Sequence, residues 1–404
     1  MLAAGVVTVA DVVVLGLQWG DEGKGKVVDE RAAGCSAVVR YQGGANAGHT
    51  VVVGGRRFAL HQLPSGALHP GVVCVIGAGC AVDPFALREE AAQLAAAGIV
   101  LGPGRLAVSG RAQVVLPWMR DIDAAEEALR RQPVGTTRRG IGPAYAAKAG
   151  RWGLTVAAFT DPAARAERLG DVRPWIDRWL AALGLPEPAE DGLSEVAAWL
   201  APLVADDLVA IDAARSRGDV VFEGQLGLMR DPDRGMYPFT TGASILPPAA
   251  LIGSAATVLG VVKPYVTLVG GGLLPTEAEE ADAEALREAG GEYGATTGRP
   301  RRCGWLDIPA LRYAVGAAGA THLAVTKLDL AVQRTDLPVC VSYDGWNPAD
   351  GYPPAHRLGD VHPRYEQWSA SGDPLTLARR IADTIGLPLA YAGTGPGRGE
   401  GVWL

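Results

Sequence analysis

The sequence predicts an α/β protein built on an open, mostly parallel sheet flanked by helices. Three observations carry that expectation. Apolar, β-branched runs of strand length, the first being Val12 to Leu17, alternate with helical stretches. Glycine-rich loops interrupt those runs at their ends, where parallel sheets collect ligands. The 404 residues, 48% of them hydrophobic, also suffice to bury a large core. No repeat, low-complexity linker or composition break divides the chain. Residues 1–404 are therefore expected to form a single large domain, with 1–10 a poorly ordered Ala/Val-rich leader.

The stretch after the first strand organises everything that follows. Gly20, Gly23 and Gly25 allow a tight turn and close approach to a ligand, while Lys24 and Lys26 add positive charge where a helix should start. The spacing from Gly20 to Lys26 fits the phosphate-loop pattern G-x-x-x-x-G-K, but Val27 stands where Ser or Thr would hold Mg²⁺. Asp21 or Glu22 could supply the hard oxygen instead. A plain strand-to-helix turn with solvated charges seldom gathers three glycines, two lysines and two acids in seven residues.

Beyond the loop, Lys26 to Ala33 is expected to be helical and Ala37 to Tyr41 a second strand. Gln42 to Thr50 is a second glycine-rich loop, followed by hairpin-like alternation to Leu60. Cys74–Ile76 should be a buried strand, Pro84–Ala97 a helix, and Asp121–Arg131 a charged helix ending before Pro133. Gly135 to Tyr145 is a third glycine-rich loop, rich in hydroxyls and arginines. Residues 156–215 are predicted helical with breaks at Pro186 and Pro188. Asp219–Phe222 is a strand leading into Glu223-Gly-Gln-Leu-Gly227. Ser244–Val262 is uncharged and nearly long enough to span a membrane. Its prolines, glycines and alanines suit a buried helix better. Gly294 to Trp305 is a further loop, Ala320–Thr326 a strand before Lys327-Leu-Asp329, and Leu389–Tyr391 a last strand running into Gly393-Thr-Gly-Pro396.

The net charge of −7 argues against a general nucleic-acid binder. Positive charge is gathered locally instead, at Lys24/Lys26, Arg138/Arg139 and Arg299/Arg301/Arg302, as befits a protein that binds small anions. The five cysteines are odd in number and lack C-x-x-C spacing, so free, buried thiols in a reducing compartment are expected. No signal-peptide pattern opens the sequence. A cytoplasmic protein without membrane association is the expectation.

These motifs together resemble the adenylosuccinate synthetase family. The resemblance rests on Gln18-Trp-Gly-Asp-Glu-Gly-Lys-Gly-Lys26, Tyr41-Gln-Gly-Gly-Ala-Asn-Ala-Gly-His-Thr50 and Gly140-Ile-Gly-Pro-Ala-Tyr145. Phe222-Glu-Gly, Gly294-Ala-Thr-Thr-Gly-Arg299, Cys303-Gly-Trp-Leu-Asp307, Thr326-Lys-Leu-Asp329 and Thr394-Gly-Pro396 follow in the same order. It implies a P-loop-like GTP-binding ligase that joins L-aspartate to IMP with GTP and Mg²⁺. A base removes the N1 proton of the 6-oxopurine, the 6-oxyanion takes the γ-phosphoryl group, and the aspartate amine then displaces phosphate.

In that scheme Asp21 matches the base and Mg²⁺ ligand, with the Gly48 carbonyl as a second ligand. His49 supports the departing GDP oxygen, a role suited to imidazole near neutrality, and Lys24 neutralises phosphate charge. The GTP site would comprise Gly20, Asp21, Glu22, Gly23, Lys24, Gly25, Lys26, Gly48, His49, Thr50, Arg301, Lys327, Leu328, Asp329, Gly393, Thr394 and Gly395. Asp329 would accept the two donors that guanine offers and adenine does not. The nucleoside monophosphate would meet Asn46, Thr137, Thr241, Gln225, Leu226 and Arg299, with Arg151 reaching across a homodimer. Aspartate would be held by Ala295, Thr296, Thr297, Gly298, Arg299 and Arg301, because guanidinium forks suit carboxylates.

Three departures from the family pattern bear on the purine end. Glu-Gly-Ala-Gln-Gly reads Glu223-Gly-Gln-Leu-Gly227, which puts Leu226 where the family glutamine meets the purine 6-oxygen and a glutamine one place earlier. The polar Ser-Ser-Asn-Thr-Thr stretch becomes Gly242-Ala-Ser-Ile-Leu-Pro247. Pro300 interrupts the arginine run, and Arg138 replaces a usual glycine. Two alternatives to IMP ligation thus remain: a paralogue adding aspartate to an IMP-like nucleotide, and a GTP-binding protein without catalysis. Retention of Asp21 and His49 counts against the latter.

Overall fold

The computed structural model describes residues 11–249, 251–252, 256–294, 298–370 and 372–404. The expected leader, residues 1–10, and the aspartate-site residues Ala295, Thr296 and Thr297 lie outside the described residues. A ten-stranded sheet forms the centre. Its order is Val204–Ala205, Leu106–Ser109, Val73–Ile76, Ala37–Arg40, Val220–Gly227, Asp11–Gly16, Thr257–Val262, His322–Val325, Leu389–Gly393, Gly401–Trp403. All neighbours are parallel except the last pair. The open, mostly parallel α/β sheet is thus as the sequence predicts.

From Asp11–Gly16 the chain steps outward on one side, returns at Val220–Gly227 beside its first strand, then builds the other side. The carboxyl end of Asp11–Gly16 is therefore the switch point, the place where sheets of this kind bind ligands. A second, four-stranded sheet runs in the order Tyr265–Leu268, Arg302–Asp307, Asp336–Asp344, His362–Ser369. Its Tyr265, Trp305, Leu306, Leu337 and Trp368 pack in one buried cluster with Val13, Leu15 and Phe222 of the main sheet.

Helix starts follow local chemistry. Asp83, Asp161 and Asp373 each accept a hydrogen bond from a first-turn N–H and each precedes a proline at the first helical position, opening Pro84–Ala96, Pro162–Ala182 and Pro374–Ile385. The expected helix at 121–131 begins earlier, at Pro117, and ends at Leu129. The region 156–215 is helical in four pieces, open between Ala182 and Leu193 around Pro186 and Pro188.

Other expectations are corrected. The segment 244–262 is not a helix: its described residues are irregular up to a buried strand, Thr257–Val262, beside the first strand. A short apolar run buried on both faces carries no periodicity that tells strand from helix, and Pro247 and Pro248 already broke helical continuity. The third glycine-rich loop gives way to helix at Ile141, and the loop from Gly294 becomes strand at Arg302. The strand at 219–222 continues to Gly227. Asp336–Asp344 escaped notice because Pro338 speaks against an interior strand. All five cysteines are buried and unpaired, and no helix among the described residues is long and apolar enough to cross a membrane.

Asp307 caps the helix Ile308–Ala318 through the Ala310 N–H at 3.0 Å and receives the Tyr343 hydroxyl. Burial lifts its carboxyl from 3.8 to about 6. Below pH 4 the group is protonated whether the chain is folded or not, so its contribution is fully present. Between pH 4 and 6 only the unfolded chain releases the proton, and stability falls by on the order of 3 kcal/mol. Asp307→Asn, which still caps, is expected to flatten the decline in melting temperature over that interval. A variant that declines in parallel with the parent would assign the pH dependence elsewhere.

Candidate functional site

The phosphate-loop segment leaves the first strand at Gly16 and enters the helix Lys24–Ala32 through Gly23, whose φ is +82°. Asp21 holds φ of 58°, a left-handed backbone that Asp tolerates better than most residues. The two acids of the loop separate into different roles. The Glu22 carboxylate is fully buried and accepts the N–H groups of Gln18 at 3.1 Å and Gly20 at 2.8 Å, with Lys24 Nζ at 2.6 Å. A Cβ on Gly16 or Gly227 would fall 2.3 Å from that carboxylate. Glu22 is therefore an internal brace of the loop, and the side chain free to act as a hard oxygen donor is that of Asp21, 31% exposed.

Lys26 also differs from expectation. Its ammonium donates to the carbonyls of Gly395 and, at 2.6 Å, Glu400. It ties the loop after Leu389–Gly393 to the helix and does not point a free charge at phosphate. Burial lowers its pKa. Thr326 adds a second tie, donating to the Glu22 carbonyl at 2.5 Å and sitting under Gly23. The Thr326–Asp329 loop and the Gly393–Gly395 loop are thereby held directly against the phosphate-loop segment. Asp329 is half-buried in the first turn of Leu328–Ala331, Leu328 is buried, and Thr394 is exposed.

Glu292 is the electrostatic hub of the site, and sequence reasoning missed it. It is fully buried, with Lys263 Nζ at 2.9 Å, Lys327 Nζ at 2.5 Å, Arg301 Nη1 at 2.5 Å and the Tyr265 hydroxyl at 2.6 Å. Burial alone would raise its pKa, but the cations overwhelm that and drive it well below the carboxylate range. Burial brings the Lys263 ammonium down to about 8 despite Glu292. Arg301 turns its Nε toward Asp21 Oδ2 at 2.8 Å, an ion pair without an aligned hydrogen bond. The expected base and the expected carboxylate-binding arginine are thus neighbours.

Among the described residues flanking 295–297, Arg301 N donates to the Glu292 carbonyl at 2.9 Å and Gly294 N to the Arg299 carbonyl at 2.8 Å. Gly298 and Arg299 are exposed.

His49 opens the strand His49–Val53 and packs against Gly25, where a Cβ would lie 3.0 Å from its own. Its Nδ1 pairs with the fully buried Glu223 carboxylate, which also receives Ser65 N at 2.8 Å and Ser65 Oγ at 2.7 Å. Burial would raise Glu223, yet His49, Arg40 and Ser65 draw it down to about 2. Burial pushes His49 below its ordinary value. The pair fixes the imidazole ring and sets Nε2 as its outward nitrogen. Glu223 was legible only as part of Phe222-Glu-Gly. Gly48 and Thr50 flank His49, both half-buried.

At the side expected to hold the monophosphate, Gln225 and Leu226 occupy a bulge. Val14 pairs with Glu223 and Gly16 with Gly227, so four steps of one strand face two of the other. Leu226 is half-buried with φ of 63°, a strained conformation for a γ-branched residue. The Gln225 side chain is fully buried and its amide is engaged on both ends, by Arg40, Gly44 and Asn46. It is therefore not available to replace the family glutamine on the purine.

Thr241 is half-buried and donates its N–H to the Arg230 carbonyl at 2.8 Å. The altered segment that follows is pinned by the buried Asp231, which accepts Ile245 N at 2.6 Å, and by the Tyr41 hydroxyl on the Ile245 carbonyl at 3.0 Å. With Tyr41, Gln42, Tyr145 and Lys148 it lines a cleft of about 460 Å³. Thr137 is half-buried beside Arg138, whose φ of 56° explains why glycine is usual there. Arg151 ends the helix Ile141–Gly150 with φ of 63° and an exposed side chain.

A family model described as adenylosuccinate synthetase matches residues 13–401. The adenylosuccinate synthetase of Desulforudis audaxviator is 42% identical over 421 residues, covering 96% of each chain. Among solved structures, the fully ligated adenylosuccinate synthetase from Plasmodium falciparum is similar with a TM-score of 0.87 at 30% identity, covering 98% of this chain and 99% of that one. The cyanophage S-2L succinoaminodeoxyadenylate synthetase, bound to dGMP and dATP, reaches a TM-score of 0.62 at 22% identity, covering 98% of this chain and 95% of that one. At that identity the likeness is one of fold alone.

Proposed function

The chain belongs to the adenylosuccinate synthetase family, whose members join L-aspartate to IMP at the expense of GTP, and from that premise we propose how its residues divide the work. The relatives support IMP over an IMP-like nucleotide as acceptor. The observation that carries the residue assignment is the convergence of the Asp21, Arg301 and Glu292 chain with the phosphate-loop segment at the sheet's switch point.

Asp21 takes the N1 proton of IMP. The 6-oxyanion then forms a bond to the γ-phosphorus of GTP as the bond to the β-γ bridging oxygen breaks, giving GDP. His49, whose Nδ1–H is held by the Glu223 carboxylate, donates from Nε2 toward that departing oxygen in its protonated form, and the loop N–H groups, with Lys24 that also pairs with Glu22, neutralise phosphate charge. The aspartate amine then attacks C6 and phosphate leaves. Asp329, with Thr394 and Gly395, reads guanine. Arg299 and Arg301 hold the aspartate carboxylates, and Asn46, Thr137 and Thr241 hold the monophosphate.

A hard divalent ion fits the donor chemistry: the Asp21 carboxylate and the Gly48 carbonyl would hold Mg²⁺, since Glu22 is committed inward. When bound, the ion neutralises charge on the transferring phosphoryl group. Five buried, unpaired cysteines fit a reducing, cytoplasmic setting.

Arg151, exposed at a helix end, suits a residue that completes the site of a second subunit in a homodimer. Asparagine tolerates the left-handed backbone of both Asp21 and Arg151. Asp21→Asn and Arg151→Asn proteins, each nearly inactive, should regain activity on mixing, because one mixed site recovers both groups. The readout is GDP release that requires IMP, aspartate and Mg²⁺ together. Absence of rescue after verified subunit exchange rules out the shared site.

A further inference from the structure

The glutamine displaced by one place has a use of its own. Gln225 Oε1 accepts from Arg40 Nη2 at 2.8 Å and from Gly44 N at 2.9 Å. Both partners can only donate, so the oxygen end of the amide is determined by chemistry. Its Nε2 must then face Asn46, and it donates to Asn46 Oδ1 at 2.5 Å.

The carbonyl of Asn46 is thereby consumed, and the Asn46 NH₂ is the end left for a ligand. Phosphate only accepts hydrogen bonds. An asparagine free to turn over would present its oxygen to the anion in one of its two orientations, which repels.

The surroundings are built for this side chain. The Gln225 carbonyl is held by Gln42 Nε2 at 2.8 Å. A Cβ on Gly43 would stand 1.9 Å from Gln225 Oε1, so only glycine leaves room. Arg40 is 1% exposed and its Nε and Nη1 have no hydrogen-bond partner, which leaves its Gln225 contact to anchor the amide oxygen beside a buried positive charge.

We propose that Gln225 is a positioning residue that, anchored by Arg40 and Gly44, locks Asn46 with its amide donors toward the monophosphate of IMP. The inference rests on the assignment of Asn46 to that phosphate. Gln225 touches no substrate in this arrangement. Its effect passes wholly through Asn46.

Gln225→Glu tests it. Glutamate keeps the shape and strengthens the contacts to Arg40 and Gly44, so melting temperature should not fall. It offers Asn46 an oxygen in place of a donor, and the Asn46 amide must turn over. KM for IMP should rise roughly ten- to a hundredfold, the range for a lost hydrogen bond to a charged group. KM for GTP should stay unchanged, and kcat at saturating IMP should stay within about threefold.

Combining Gln225→Glu with Asn46→Ala separates the lock from direct repulsion by the new charge. If the lock is right, the double variant has the IMP KM of Asn46→Ala alone. A further rise in the double variant, an equal rise in KM for GTP, or a parental IMP KM in Gln225→Glu overturns the proposal. The underlying assignment fails separately: Asn46→Ala with parental IMP KM removes Asn46 from the phosphate, and the lock with it.

Discussion

Asp21→Asn should lower kcat by roughly 10²–10⁴-fold, the span attributed to a positioned general base. Asparagine is the sharper choice over alanine because Asp21 holds φ of 58°, which asparagine also adopts with little strain. The side chain is 31% exposed and its ion pair with Arg301 is partly solvated, so the fold should lose little. What disappears is the carboxylate proposed to take the N1 proton and to hold Mg²⁺, and with it the oxyanion that would attack GTP. KM values for IMP and GTP should move far less than kcat, since the loop's brace, Glu22, and its ties through Lys26 and Thr326 are untouched. Steady-state GDP release at saturating substrates is the measurement. A kcat within tenfold of the parent would remove Asp21 from proton transfer.

Glu292→Gln should be the most disruptive single change to the site's architecture. The carboxylate is fully buried among Lys263, Lys327 and Arg301, and the amide has nearly its shape but none of its charge. Removing one partner of a buried ionic cluster costs about 3–5 kcal/mol, because the remaining charges stay desolvated and uncompensated. The loss should appear as a lower urea midpoint of unfolding. It should also raise KM for aspartate and GTP together, since Arg301 and Lys327 lose the anchor that aims them. An unchanged midpoint would mean that water already reaches these cations. A change in midpoint without any change in KM would make Glu292 a support of the fold alone.

Much of the site was legible because its chemistry is written in contiguous loops. The glycines and lysines of 20–26, the Asn46 to Thr50 run and Lys327-Leu-Asp329 each sit at a strand end, and the sheet brings strand ends together by its topology. Sequence could not divide labour within a loop. Asp21 and Glu22 are adjacent acids of one type, yet one faces solvent and the other props up the turn from beneath. Lys24 and Lys26 are two of one kind, yet Lys26 reaches residues nearly the whole chain away. The direction of a side chain in a tight turn depends on φ and ψ values that composition does not encode. The helix expected over 244–262 failed for a related reason: burial on both faces erases the alternation that distinguishes a strand.

By itself, then, the sequence determined the α/β class and the order of the glycine-rich loops, which follow from local patterns: β-branched runs and glycines before helices. The residues proposed for phosphate, purine and aspartate came with the family resemblance carried by those loops. Tertiary structure alone decided that Glu292 gathers three cations, that Glu223 sets the ring of His49, and that Gln225 turns to Asn46. Each of those pairings joins residues from different strands or loops. Their energies depend on burial and on distances of a few ångströms, which exist only once the sheet has assembled its strands on both sides of Asp11–Gly16.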